Sequence, residues 1–95
     1  MGKRVMETWD AAEYLQTKQD VIAYLDAALA ENDPQLVTAA LGDIARSKGM
    51  ATVAADSGLG RESLYKSMSE SGTPEFATVL KVITALGLRL QAIPL

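Results

Sequence analysis

Turn signals punctuate this chain so often that no long helix can form, and that punctuation constrains its fold more than any other feature. Glu31-Asn32-Asp33-Pro34 stops one apolar-periodic run and opens the next, since Asn and Asp favour turns and proline suits a helix's first turn. Lys48-Gly49 places a cation and then a glycine at a helix end. Ser57-Gly58-Leu59-Gly60 is a turn, Glu70-Ser71-Gly72-Thr73-Pro74 a loop by composition, and Gly87 a final stop. Between these breaks apolar residues recur at spacings of three and four, the period of short amphipathic helices.

Six such runs are legible. Trp9 to Leu15 reads as a short helix with Asp10 as its cap and Ala11, Tyr14 and Leu15 on one face. A second starts at Thr17 or Lys18 and carries Val21, Leu25, Ala28 and Leu29, with Ile22 widening the stripe. The third, Pro34 to Ser47 or Lys48, faces the core with Leu36, Val37, Ala40, Leu41, Ile44 and Ala45. Gly42 inside it costs roughly 1 kcal/mol relative to alanine, which the stripe outweighs. Met50 to Ser57 and Arg61 to Ser69 form two very short helices, and Thr73 or Pro74 opens a sixth through Phe76, Val79, Leu80, Ile83 and Leu86. Leu88 to Ala92 alternates apolar and polar residues, which predicts a short β-strand. The expected fold is therefore all-α, a compact bundle of about six helices with a C-terminal strand. Residues 1–33 form an N-terminal helical segment of the same unit, and residues 34–95 the remainder.

Composition narrows the chemistry. The 95 residues include no cysteine and no histidine, which removes disulfides, the common zinc sites, Ser-His and Cys-His nucleophiles and the usual neutral-pH base. Catalysis would have to rest on carboxylates, lysines and hydroxyls alone and is not expected; nor is a cofactor or a metal. No apolar stretch approaches the ~20 residues of a membrane span. The opening Met-Gly-Lys-Arg-Val-Met-Glu has no apolar core of a signal peptide, so a cytoplasmic protein is expected. The net charge of −3 is unevenly spread. Residues 1–42 hold Lys3, Arg4 and Lys18 against seven carboxylates, a balance of −4, and residues 43–95 hold six basic against five acidic groups, a balance of +1. The first part is a poor candidate for touching phosphate.

The informative stretch is Met50–Ser69. A helix-turn-helix needs two short helices crossing over a tight turn. Ala54 supplies the small residue for the crossing, Gly58 the positive φ, Leu59 the wedge and Leu64 the anchor of the second helix. Ser57 and Ser67 stand where many such motifs have aliphatic residues, and Met68 can substitute for the second. The second helix then presents Arg61, Glu62, Ser63, Tyr65 and Lys66 outward. The first turn of a recognition helix meets base edges in the major groove, while flanking groups hold phosphate. Arg61 can pair bidentately with guanine and Glu62 accept from cytosine; Ser63 suits bases or phosphate, and Tyr65 and Lys66 suit the backbone. Taken singly, Arg61 and Glu62 read equally well as solvated surface, and Tyr65 as a cover for Leu59 or Met68.

The span Ala40 to Met50 followed by Gly58-Leu59-Gly60-Arg61-Glu62-Ser63-Leu64-Tyr65-Lys66 resembles the prophage-type addiction-module antidote family, related to HigA-like antitoxins with a Cro/lambda-repressor-type helix-turn-helix. Leu80 to Leu90 resembles its final helix and strand, and Trp9–Leu15 and Ile22–Leu29 its N-terminal helices. The resemblance implies a lambda-repressor-like domain in residues 34–95. It further implies an antitoxin that represses its own operon and neutralises a RelE/HigB-like toxin, an mRNA-cleaving ribonuclease. DNA contacts carry over to Gly60, Arg61, Glu62, Ser63, Tyr65 and Lys66. Where the family usually has a helix-capping serine this chain has Gly60, which gives up a few tenths of a kcal/mol and one phosphate contact.

The carboxylates Asp10, Glu13, Asp20 and Asp26 read better as a solvated face than as a metal or acid–base site. As a partner surface, the acidic first part suits a basic toxin. Trp9, Tyr14 and Tyr24 read as core anchors more readily than as interface residues. Leu88–Ala92 has no partner strand within the chain, so pairing across a two-fold axis or with the toxin is expected, and a homodimer would reach both halves of a palindromic operator. The alternative is a stand-alone prophage repressor without a toxin.

Overall fold

The structure, a computed structural model, describes residues 11–69 and 71–95. Among them are six helices, α1 (Ala11–Tyr14), α2 (Lys18–Ala30), α3 (Pro34–Lys48), α4 (Met50–Ser57), α5 (Arg61–Ser67) and α6 (Phe76–Ala85), and no strand. The radius of gyration, 13.2 Å, is that of a compact chain of this length, for which roughly 12–13 Å is usual.

Local chemistry sets the helix ends. At α2 the Thr17 hydroxyl accepts from the Asp20 amide at 3.0 Å, and the Asp20 carboxylate accepts in return from the Thr17 amide at 3.1 Å. This reciprocal capping satisfies two amides that a helix start otherwise leaves open. The same carboxylate also accepts from the Gln16 amide at 3.1 Å. These backbone donors, Thr17 first and Gln16 next, hold the Asp20 carboxyl below its ordinary value. At α3, Asp33 caps the Gln35 amide at 3.0 Å, with Pro34 at the first helical position. The Trp9 and Asp10 start expected for the first helix lies outside the described residues.

The helices share one core, in which Leu15 and Leu25 join Leu41, Ile44, Val53, Leu64, Met68, Val82, Ile83 and Leu86. Leu41, Val53, Leu64 and Val82 are wholly inaccessible; each contributes about 1.5–3 kcal/mol by leaving water. Helix α3 is the hub, packing against α1, α2 and α4, while α4 also meets α5 and α6. Lys48, at the end of α3, donates from Nζ to the Ala85 carbonyl at 2.7 Å, tying the ends of α3 and α6 together. No helix among the described residues is long and apolar enough to cross a membrane.

Several expectations are corrected. The strand expected at Leu88–Ala92 does not form: the Leu88 amide donates to the Ile83 carbonyl at 3.1 Å, closing the turn after α6. Leu88 and Leu90 then pack half-buried against the helical core. The alternation there serves to bury two leucines on helices, because no neighbouring strand among the described residues offers a ladder. Tyr14, expected inward, is exposed, as are Ile22 and Leu36 on the edges of their stripes. A stripe read from sequence gives a face, while the width of that face buried depends on which neighbours arrive.

Gly42 departs most from its sequence reading. A Cβ placed there would overlap the Met68 carbonyl oxygen and come within 3.3 Å of its carbonyl carbon. The glycine is no tolerated defect in α3. It is the notch through which the chain leaving α5 passes against α3.

Candidate functional site

Helices α4 and α5 form with the turn between them where the spacing places them. Met50, Val53 and Ala54 hold α4 in the core. Gly58 ends it in the left-handed conformation, φ +76° and ψ 10°, its amide donating to the Ala55 carbonyl at 3.4 Å. Nothing crowds a Cβ at this position, so the requirement for glycine is one of dihedral angle alone. Ser57 proves useful as a polar residue: its hydroxyl donates to the Ala54 carbonyl at 3.3 Å and accepts from the Leu59 amide at 3.4 Å. An aliphatic residue there would leave both groups to water. Leu59 packs half-buried against the core beside the turn.

Gly60 is the extended residue before α5, φ −70° and ψ 151°, with no side chain to cap the helix. Its carbonyl accepts from the Leu64 amide at 2.9 Å, closing the first turn. Leu64 is wholly buried and fixes the rotation of α5. With Leu64 inward, Arg61, Glu62, Ser63, Tyr65 and Lys66 are all exposed. Tyr65 is 52% exposed, so covering Leu59 or Met68 is not its main role. Met68, at 4% exposure, takes the buried place that the half-buried Ser67 does not fill. The helix ends at Ser67, two residues earlier than the sequence suggests: the Met68 amide makes the last helical bond, to the Leu64 carbonyl at 3.0 Å, and Met68 itself leaves the helical conformation as the chain turns past Gly42.

Among the described residues neither Arg61, Glu62 nor Lys66 belongs to an ion pair; the pair present is Arg46 with Asp43 at 2.7 Å. Arg61 and Lys66 are balanced by Asp56 and Glu62 on the same two helices, which together carry no net charge. The segment after α5 adds hydroxyls that composition alone marks only as a loop. Ser69 donates to the Lys66 carbonyl at 3.0 Å and lies 3.4 Å from the Ser71 hydroxyl. Together with Thr73 they line a shallow polar depression beside Lys66.

The carboxylates weighed earlier do not gather. Asp20 is committed to capping α2, Asp10 lies outside the described residues, and no cluster of three acidic side chains suited to a metal occurs among the described residues. Of the aromatic residues, Tyr24 is half-buried with its hydroxyl donating to Asp43 at 2.5 Å.

Residues 5–94 match a protein family described as "Probable addiction module antidote protein". The chain is also 44% identical over 86 residues to an uncharacterized protein of Haemophilus influenzae, an alignment covering 90% of this chain and 89% of that one. No solved structure matches the chain.

Proposed function

The chain belongs to the family of probable addiction module antidote proteins, and from that premise we propose that it is the antitoxin of a type II toxin–antitoxin module. It binds operator DNA through α4 and α5 as a Cro/lambda-repressor-type helix-turn-helix, represses its own operon in the manner of HigA-like antitoxins, and neutralises a RelE/HigB-like toxin. It acts as a homodimer on a palindromic site, without catalysis or a cofactor.

The observation that carries the DNA reading is the state of α5. One wholly buried leucine fixes its rotation, and the five polar or amphipathic positions on either side of it, 61–63 and 65–66, stand exposed. A short helix anchored on one side and open on the other is what the major groove accepts. Arg61, Glu62 and Ser63 occupy its first turn, where base edges are reached. Lys66 and the hydroxyls of Ser69, Ser71 and Thr73 lie further along, suited to phosphate. Gly60 contributes its backbone without a side-chain contact.

A gel shift with the DNA upstream of the coding region tests this. Arg61→Ala should weaken binding about 5–150-fold and relax sequence preference, as loss of a bidentate base contact does. Lys66→Ala should weaken binding to all sequences alike and lower the salt dependence by about one counterion. Unchanged affinity in both variants would remove α5 from the interface. Co-purification with a basic protein encoded alongside tests the toxin half; DNA binding without such a partner would leave a stand-alone repressor.

A further inference from the structure

Helices α2 and α3 pack together but leave an open groove of about 740 Å³ along their outer side. Alanines of both helices line it, Ala28 and Ala40 buried and Ala27 and Ala39 nearer to solvent, and their small side chains leave the space unfilled. Leu36 stands at its edge 42% exposed, an apolar residue on the stripe of α3 with no helix over it among the described residues. Three carboxylates, Glu31, Asp33 and Asp43, line the same groove, and no lysine or arginine does. Asp33 also caps α3, and Asp43 is held by the Tyr24 hydroxyl and Arg46; Glu31 has no ion-pair partner among the described residues.

These features together describe an occupant. The furrow between two packed helices is a natural seat for a third, which sets apolar side chains at every third and fourth position into the floor. An alanine floor lets that helix approach closely. Glu31, the rim carboxylate not engaged by a cap or an ion pair among the described residues, calls for a lysine or arginine on the flank of the incoming helix. Among the described residues the groove is only partly enclosed. It also lies on helices other than α5, leaving DNA contacts available while it is filled.

We propose that the α2–α3 groove is where a cationic amphipathic helix of the toxin docks. The proposal rests on the antitoxin reading above and names the surface that performs it. The test measures binding of the purified toxin from the same operon to the full chain by calorimetry, for wild type, Ala27→Lys, Ala39→Lys, Glu31→Lys and Arg61→Ala. Ala27 is exposed and Ala39 partly so, so each lysine can reach water while filling the groove, and a circular-dichroism melt checks that the fold persists.

Binding should weaken at least tenfold in Ala39→Lys and Ala27→Lys and severalfold in Glu31→Lys, with operator affinity unchanged; Arg61→Ala should do the reverse. Toxin binding within twofold of wild type in both alanine variants would overturn the groove while leaving the antitoxin reading intact. Failure of wild type to bind the toxin would remove that reading, and the groove proposal with it. If the lysine variants instead abolish self-association and spare toxin binding, the occupant is a second copy of the chain and the proposal is overturned.

Discussion

Replacing Gly42 with alanine sets two effects of opposite sign against each other, and the structure says which wins. In an exposed helix the change is favourable by roughly 1 kcal/mol, because alanine loses less backbone entropy. Here the new Cβ would overlap the Met68 carbonyl oxygen. That oxygen belongs to the backbone and cannot swing aside, so α3 and the chain leaving α5 must separate by about 1 Å to restore van der Waals contact. Leu41 and Leu64, both wholly buried, pack in the same core, and separation costs contacts on each. Overpacking of this kind costs about 3 kcal/mol at the upper end of its range, leaving a net loss of about 2 kcal/mol. For a domain of this size that lowers the melting temperature by about 8–16 °C. Thermal unfolding followed by circular dichroism at 222 nm reads it directly. A Gly42→Ala variant that melts at or above the wild-type temperature would show that helix propensity prevails and that α3 and the Met68 backbone are not in contact.

Two further perturbations test the helix starts. Gly60→Ser should supply the missing cap of α5, since Gly60 is already extended and its nearest neighbour to a new Cβ is Ser63 Oγ at 3.8 Å. A gain of a few tenths of a kcal/mol and tighter operator binding are expected, and a lower melting temperature would contradict the capping geometry. Asp20→Asn should remove a pH-dependent contribution. The folded-state carboxyl is held below its ordinary value of 3.8 by the Thr17 and Gln16 amides, so its stabilisation is complete above that value and disappears as pH falls through the lowered one. The difference in melting temperature between wild type and variant should therefore be constant near neutrality and shrink in acid. A difference that persists unchanged below pH 3.8 would assign the effect to something other than the ionised carboxylate.

Features that depend on neighbours along the chain were legible in the sequence. The bounds of α2, α3 and α4 follow from Thr17, Asp33-Pro34, Gly49 and Gly58, each acting within four residues of itself. The inward placement of Leu25, Leu41, Ile44, Val53 and Leu64 follows from periodicity for the same reason. The exposure of Arg61, Glu62, Ser63, Tyr65 and Lys66 on α5 follows from the inward placement of Leu64, the one buried residue of that helix. The alternation of Leu88 to Ala92 was misread, since period two records only that alternate side chains share an environment. It does not say whether that environment is a sheet or, as here, a helical core.

What only the tertiary structure decided are relations between segments distant in sequence. Gly42 looked like a cost because its partner, the Met68 carbonyl, lies 26 residues away, and no local pattern announces such an approach. The groove between α2 and α3 belongs to the same class, since an alanine is ordinary in either helix and matters only where two helices place theirs together. Local hydrogen bonding and hydrophobic period thus determined the helices and the side each buries. Steric contact between helices decided where the chain must be glycine, where apolar surface remains uncovered, and which surfaces are left for partners.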